Sequence, residues 1–267
     1  MRVVDAGDSF AYYKCMFTVR QSIEIFHLLF LRHLEQKLDK NLYALKGGCN
    51  LRFFFKSIRY SEDIDLDIRT IAKETLRHKI TKVLESIPFT KSLKSQGIEM
   101  VHCVESKQSD TTQRWKCGLK IANASMVLPT KIEFSRRSMT DACVFEPVDN
   151  TLIQEYNLYP VLTNHYVATE AFYQKINASI FRTETQARDV FDLKLLLAGF
   201  KPEKNSVRIP LSDLHKAIFN LESIPFSDFK STVVAYLMDE YKDYYDNPTV
   251  WTQLKNEVRA VLETVQT

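Results

Sequence analysis

The stretch LKGGCNLRFFFKSIRYSEDIDLDI, from Leu45 to Ile68, constrains the fold more than any other part of the chain. Its end alternates acid with aliphatic and reads as a strand. A period of two sends Asp63, Asp65 and Asp67 to one face and Ile64, Leu66 and Ile68 to the other. Three carboxylates side by side repel one another, so solvent, basic side chains or a metal ion must offset them. Upstream, Leu42 to Leu45 reads as a short strand and Asn50 to Lys56 as an amphipathic helix, with Gly47-Gly48 between them. The chain holds only 6 glycines in 267 residues, where average usage of about 7% would give roughly 19. A pair of adjacent glycines therefore marks a demand for unusual backbone geometry.

A strand, two glycines and a helix start can direct backbone N–H groups outward, and with the helix dipole such a turn suits a phosphate. A tight turn with no ligand explains the pair alone equally well. Neither GxGxxG nor GxxxxGK[ST] is present, which excludes the Rossmann and Walker sites. The acidic strand adds the missing half. Asp63 and Asp65 follow Gly48 by 15 and 17 residues. Hard carboxylate oxygens beside a phosphate-binding turn are what Mg²⁺ requires, with phosphate and water completing its shell. Such ions can activate an attacking oxygen and stabilise leaving pyrophosphate. Asp67 is expected to be only part of a solvated acidic face. Arg59 can reach a phosphate or stand on the surface.

TKIEFSRR supplies a third carboxylate. On that strand Lys131, Glu133 and Ser135 share a face, and if it pairs beside the acidic strand, Glu133 joins Asp63 and Asp65. An exposed Lys-x-Glu pair is the plainer alternative. Farther on, EAFYQKINASIFR places Lys175 and Arg182 on one helix face. RDVFDLKLLL places Asp189 and Asp192 in the first turns of a helix, where the dipole favours acids, and makes Arg188 and Asp192 an i,i+4 pair.

The remaining pattern divides the chain in two. Residues 1–146 read as a mixed α/β half. It has a long helix over Ala11–Leu38, a basic helix over Ile71–Ser86 closed by Pro88, and strands near Met100–Glu105, Arg114–Ile121 and Lys131–Phe134. Residues 147–267 read as helical throughout, with helices near His165–Phe181, Gln186–Leu197, Leu211–Leu221, Ser227–Tyr241 and Trp251–Thr264 and a loop over Lys201–Pro210. Two such halves commonly enclose a ligand cleft.

Charge is nearly balanced, with 36 basic and 33 acidic residues. The stretch Lys73 to Lys94 carries six Lys/Arg against Glu74 and Glu85, a local balance of +4. It reads as a solvated helix face or as a strip for RNA phosphates. Five cysteines with no CxxC spacing give neither a disulfide framework nor a zinc site. With no signal peptide and no apolar run of about 20 residues, the expectation is a reducing, cytoplasmic protein.

In order, LKGG, RYSEDIDLD, KIEFSRR, QKINASIFR and RDVFDL resemble the AbiEii-type nucleotidyltransferases, the toxins of type IV toxin–antitoxin pairs, over roughly Leu45 to Leu197. The resemblance implies an α+β fold, a polymerase β-like mixed sheet with flanking helices followed by a helical C-terminal half. It implies that Gly47 and Gly48 hold the phosphates of an NTP and that Asp63, Asp65 and Glu133 hold Mg²⁺. Lys175 and Arg188 would contact the nucleotide, with Asp189 facing the site and Asp192 free to pair with Arg188. It also implies a tRNA 3′ end as acceptor and a winged-helix antitoxin encoded nearby. Two departures stand out. Cys49 replaces a hydroxyl residue after the glycines, and Glu133 stands where aspartate is frequent. A protein or small-molecule acceptor, or a non-catalytic NTP-binding module, are the competing readings.

Overall fold

The computed structural model describes residues 17–122, 124–136, 139–182, 184, 186–199 and 210–264. The first residues of the expected Ala11 helix, Cys15 and nearly all of the Lys201–Pro210 loop lie outside them. Helix α1 (Val19–Glu35) begins with a reciprocal capping box: the Thr18 side chain accepts from the Gln21 N–H, and the Gln21 side chain accepts from the Thr18 N–H. It is buried along nearly its whole length and packs against the sheet and two following helices.

The acidic strand lies at the centre of the molecule. The chain runs from β1 (Tyr43–Lys46) into α2 (Gly47–Phe54) and β2 (Ile64–Ile68), then α3 (Lys73–Leu84) and α4 (Ile87–Ser95). Next come β3 (Ile98–Gln108), β4 (Thr112–Ile121), β5 (Leu128–Ser135) and β6 (Cys143–Pro147), then α5 (Asn150–Glu155) and β7 (Leu162–Tyr166). The seven strands form one mixed sheet in the order β3-β4-β5-β2-β1-β7-β6. β2 lies between β1, which is antiparallel to it, and β5, which is parallel. The remaining helices are α6 (Ala168–Phe181), α7 (Ala187–Gly199), α8 (Leu211–Ser223), α9 (Phe226–Thr232), α10 (Asp239–Tyr245) and α11 (Pro248–Thr264). They build a second core around Phe172, Phe229 and Trp251, distinct from the core beneath α1 and the sheet. α2 spans both: Cys49 and Phe53 enter the first core and Leu51 the second.

Several local expectations are corrected. A strand, β7, stands at Leu162–Tyr166, where the sequence predicts only helix. Its Thr163, Asn164 and His165 are buried polar residues whose partners are remote, so no apolar alternation marks it. Pro88 does not close the basic helix. That helix ends at Leu84, and Pro88 opens α4, capped by Ser86, at a position where the missing N–H costs nothing. The expected Ser227–Tyr241 helix breaks into α9, a 3₁₀ turn (Val234–Tyr236) and α10. There the Tyr236 carbonyl accepts from the Tyr60 N–H at 2.9 Å, and the Met238 N–H donates to the Ile58 carbonyl at 2.9 Å. These bonds stitch the helical part to the loop before the acidic strand. Cys103 and Cys117 face each other in the β3–β4 register and form a disulfide, while Cys49 and Cys143 are free. One bridge across one hairpin is not the disulfide framework that the cysteine spacing argues against. Among the described residues, no helix is long and apolar enough to cross a membrane.

Candidate active site

The glycine pair answers two separate steric demands. Gly47 has φ +67°, in the left-handed region, and a Cβ there would stand 3.0 Å from Asp65 Oδ2. A Cβ on Gly48 would stand 2.7 Å from Ser61 Oγ and 3.2 Å from an Arg59 guanidinium nitrogen. The turn is thus pressed against the acidic strand and the loop before it. α2 starts at these glycines with no side-chain cap, so its first N–H groups remain for a ligand. Gly47→Ala is expected to cost about 1–2 kcal/mol, the usual penalty of an L side chain in the left-handed region, and to displace the Asp65 carboxylate. Urea unfolding midpoints of the two proteins measure the first effect. An unchanged midpoint would show that the turn can relax.

β2 and β5 place the carboxylates together. Asp65 is in register with Glu133, and Ile64 with Ile132. Asp63, Asp65 and Glu133 all line one cleft of about 580 Å³, together with Gly47 and Gly48. Asp63 pairs with Lys131 at 2.7 Å, and Glu133 with Arg114 at 2.6 Å. Asp65 has no ion pair among the described residues. Its carboxyl is held above the usual carboxylate range by burial, then by the charges of Glu133 and Asp63, against the opposing influence of Lys46 and Arg188. Asp67 departs from expectation. It is buried, not solvated, and is bound by Lys46 at 2.5 Å and by the Tyr166 hydroxyl at 2.7 Å.

The carboxylate strand is braced from behind. Thr130 donates to the Glu62 carbonyl at 2.7 Å, and Ser61 and Cys49 donate to the Asp63 carbonyl at 2.9 and 3.3 Å. Since the Thr130 proton goes to Glu62, Thr130 accepts from Nε2–H of buried His27 at 2.8 Å. Burial lowers the His27 pKa to about 3, so the ring is neutral. Cys49 therefore points into the core, and the hydroxyl beside the glycine turn comes from Ser61.

The opposite wall is cationic. Lys175 on α6 lies between two fully buried carboxylates of α7, 3.0 Å from Asp189 and 2.6 Å from Asp192. Arg182 also pairs with Asp189, and Arg59 pairs with Asp192 at 3.2 Å. Three cations thus face two anions. Burial alone would raise Asp192, but Arg59 and Lys175 together hold it below the usual range. Three expectations change here. Asp192 pairs with Arg59 and Lys175, not with Arg188. Arg59 is a buried residue, not a surface one, and its Nε has no partner among the described residues. Asp189 does not line the cleft but anchors Lys175 and Arg182, which do. Arg188 lines the cleft and forms no ion pair among the described residues.

Ser61, Lys131, Arg182 and Tyr236 also line the cleft and were not among the residues that sequence reasoning assigns to the site. Lys131 and Arg182 occupy the same strand and helix faces as Glu133 and Lys175, which is the signal that could have found them. The basic stretch from Lys73 is partly consumed by the fold. Lys73 pairs with Asp110, Arg77 with Glu105 and Glu74, and Lys79 donates to the Lys37 carbonyl.

A glycine turn and carboxylates on adjacent parallel strands, set in a mixed sheet below a helical wall, define a nucleotidyltransferase. Two solved structures share the fold. JHP933 from Helicobacter pylori has a TM-score of 0.57 at 17% identity, over 93% of this chain and 95% of its own. A candidate nucleotidyltransferase from H. pylori has a TM-score of 0.57 at 17% identity, over 92% of this chain and 98% of its own. No curated protein matches the chain. The family model of the nucleotidyl transferase AbiEii toxin of type IV toxin–antitoxin systems matches residues 29–247, and the chain belongs to that family.

Proposed function

We propose that the protein transfers NMP from an NTP to an acceptor hydroxyl, with Mg²⁺ held by Asp63 and Asp65. One observation carries this reading: the acidic patch of Asp63, Asp65 and Glu133 faces the cationic Lys175, Arg182 and Arg188 across a single cleft. The cleft volume lies in the range that takes small ligands. The donor set fits the ion. Among the described residues no group of three or more His, Cys, Asp or Glu side chains could hold a metal ion, so Glu133, paired with Arg114, does not complete the three-carboxylate set expected from the sequence. Mg²⁺ needs only one or two carboxylates and takes the rest from phosphate and water. Asp65 forms no ion pair among the described residues, and a cation at the glycine turn would offset the burial and the neighbouring Glu133 and Asp63 charges that raise its pKa. When bound, Mg²⁺ supplies charge neutralisation on the phosphates and the leaving pyrophosphate.

The chain's own groups do the rest. The first N–H groups of α2 receive the phosphates, and Lys175, Arg182 and Arg188 neutralise them. Arg59 lines the same cleft. The acceptor oxygen forms its bond to the α-phosphorus as the bond to the pyrophosphate oxygen breaks. Glu133 takes the hydroxyl proton. Positioning and preorganised charge provide most of the acceleration. Family membership among toxins supports a tRNA 3′ end as acceptor, a winged-helix antitoxin as partner and a cytoplasmic site of action.

The test incubates the protein with Mg²⁺, each labelled NTP in turn and total tRNA, beside an Asp63→Ala/Asp65→Ala control. Label on tRNA that requires both aspartates supports the proposal and names the nucleotide. Metal-dependent label on protein or on a small molecule in cell extract would move the acceptor. Nucleotide binding with no pyrophosphate release in any mixture would make the chain a binding module.

A further inference from the structure

The register that sets Glu133 beside Asp65 also sets Lys131 beside Asp63, because Ile64 and Ile132 are partners. Lys131 Nζ lies 2.7 Å from Asp63 Oδ2, and both residues line the cleft. This pair, like the neighbouring Arg114–Glu133 pair, is wetter than the ion pairs of Lys175. Lys175 is clamped between two buried carboxylates, whereas the Lys131 and Asp63 side chains are 43% and 29% exposed. A wet lysine–carboxylate pair is weak, and lysine is a point charge on a flexible stem that can reach a new partner at little cost. The Asp63 carboxylate would therefore exchange this ammonium readily for a divalent cation. The freed ammonium would remain in the cleft, on the side opposite the cationic wall.

We infer that Lys131 is an exchangeable counter-cation: it neutralises Asp63 before the metal arrives and passes to the triphosphate once a divalent ion takes its place. The inference rests on the metal-dependent reading above and assigns Lys131 a role in loading the site. It requires effects of opposite sign on two ligands. Without Lys131 a bare metal meets no competitor, while a metal–triphosphate complex loses a phosphate partner.

Two probes read this without any turnover: Mn²⁺ alone, titrated by calorimetry, and a preformed Mn²⁺–tripolyphosphate complex. Lys131→Met is expected to tighten Mn²⁺ binding by up to about fivefold, the scale of an exposed ion pair, and to weaken binding of the complex by a similar factor. Lys131→Arg keeps the charge and should hold the complex within about twofold of wild type. Lys116, the cross-strand neighbour of Lys131, supplies the control. If Lys116→Met tightens Mn²⁺ as strongly as Lys131→Met does, the effect is general charge and the exchange is refuted. Unchanged or weaker Mn²⁺ binding by Lys131→Met, in a protein whose circular dichroism matches wild type, also overturns it. A wild-type protein that binds neither Mn²⁺ nor its tripolyphosphate complex overturns the metal reading itself, and one that binds the complex but no bare Mn²⁺ refutes the exchange alone.

Discussion

Asp65→Asn is expected to lower NMP transfer by about two to three orders of magnitude while leaving the protein at least as stable as wild type at neutral pH. The first effect follows from position. Asp65 lies between Gly47 and Glu133 and, unlike the neighbouring carboxylates Asp63 and Glu133, forms no ion pair among the described residues. Removing one preorganised charge of this kind typically costs on the order of a hundred- to a thousandfold in rate. The second effect follows from the direction of its pKa. A carboxyl whose folded pKa is raised above its unfolded value favours the folded state when protonated. That advantage is lost as pH rises through the folded pKa, so the ionised carboxylate is a net cost above it. Asparagine is neutral at all pH and removes that cost. Single-turnover transfer and urea unfolding at neutral pH check the two effects. Transfer within tenfold of wild type would remove Asp65 from the metal-binding role. A large loss of stability would show that its burial is compensated by contacts beyond those described.

The same residue shows what a sequence can disclose. The alternation DIDLDI and the glycine pair are local demands on a backbone, and both appear in the structure where they are read, at β2 and at the start of α2. Glu133 was legible only on the condition that its strand pairs with β2, and the parallel register meets that condition. What was hidden depends on remote partners. Asp67 looks like Asp63 and Asp65 in sequence, but it is buried because Lys46 and Tyr166 reach it from β1 and β7. Arg59 looks like a surface arginine because its partner Asp192 lies 133 residues away. β7 escaped detection because its buried residues are polar and are satisfied by Tyr43, Asn50 and Glu146. The i,i+4 rule pairs Arg188 with Asp192 on an isolated helix. The folded protein instead turns Asp192 inward to Lys175 and leaves Arg188 at the cleft.

That inward turn leads to the largest stability effect expected of a single change. Lys175→Met is expected to destabilise the protein by up to about 3–5 kcal/mol, the cost of leaving a buried charge uncompensated, an upper bound because Arg182 and Arg59 still reach one carboxylate each. Lys175 is 11% exposed and bridges Asp189 and Asp192, which have no solvent to compensate them. Arg182 and Arg59 each reach only one of the two. The pH profile gives a signature beyond simple loss of packing. Asp192 has a folded pKa held below its unfolded value, so it contributes stability above the ordinary carboxylate range that is lost as pH falls through the folded pKa. Lys175→Met removes one of the two cations responsible, so unfolding free energy should fall less steeply below about pH 4 in the variant than in wild type. The double change Lys175→Met/Asp192→Asn removes a charge of each sign and should recover part of the loss. The recovery measures the coupling of the pair. If the single variant loses less than about 1 kcal/mol, or if the double variant shows no recovery, the buried carboxylates do not depend on Lys175. Its ammonium would then be held in the cleft by something other than the α7 pair, and the cationic wall would need a different physical basis.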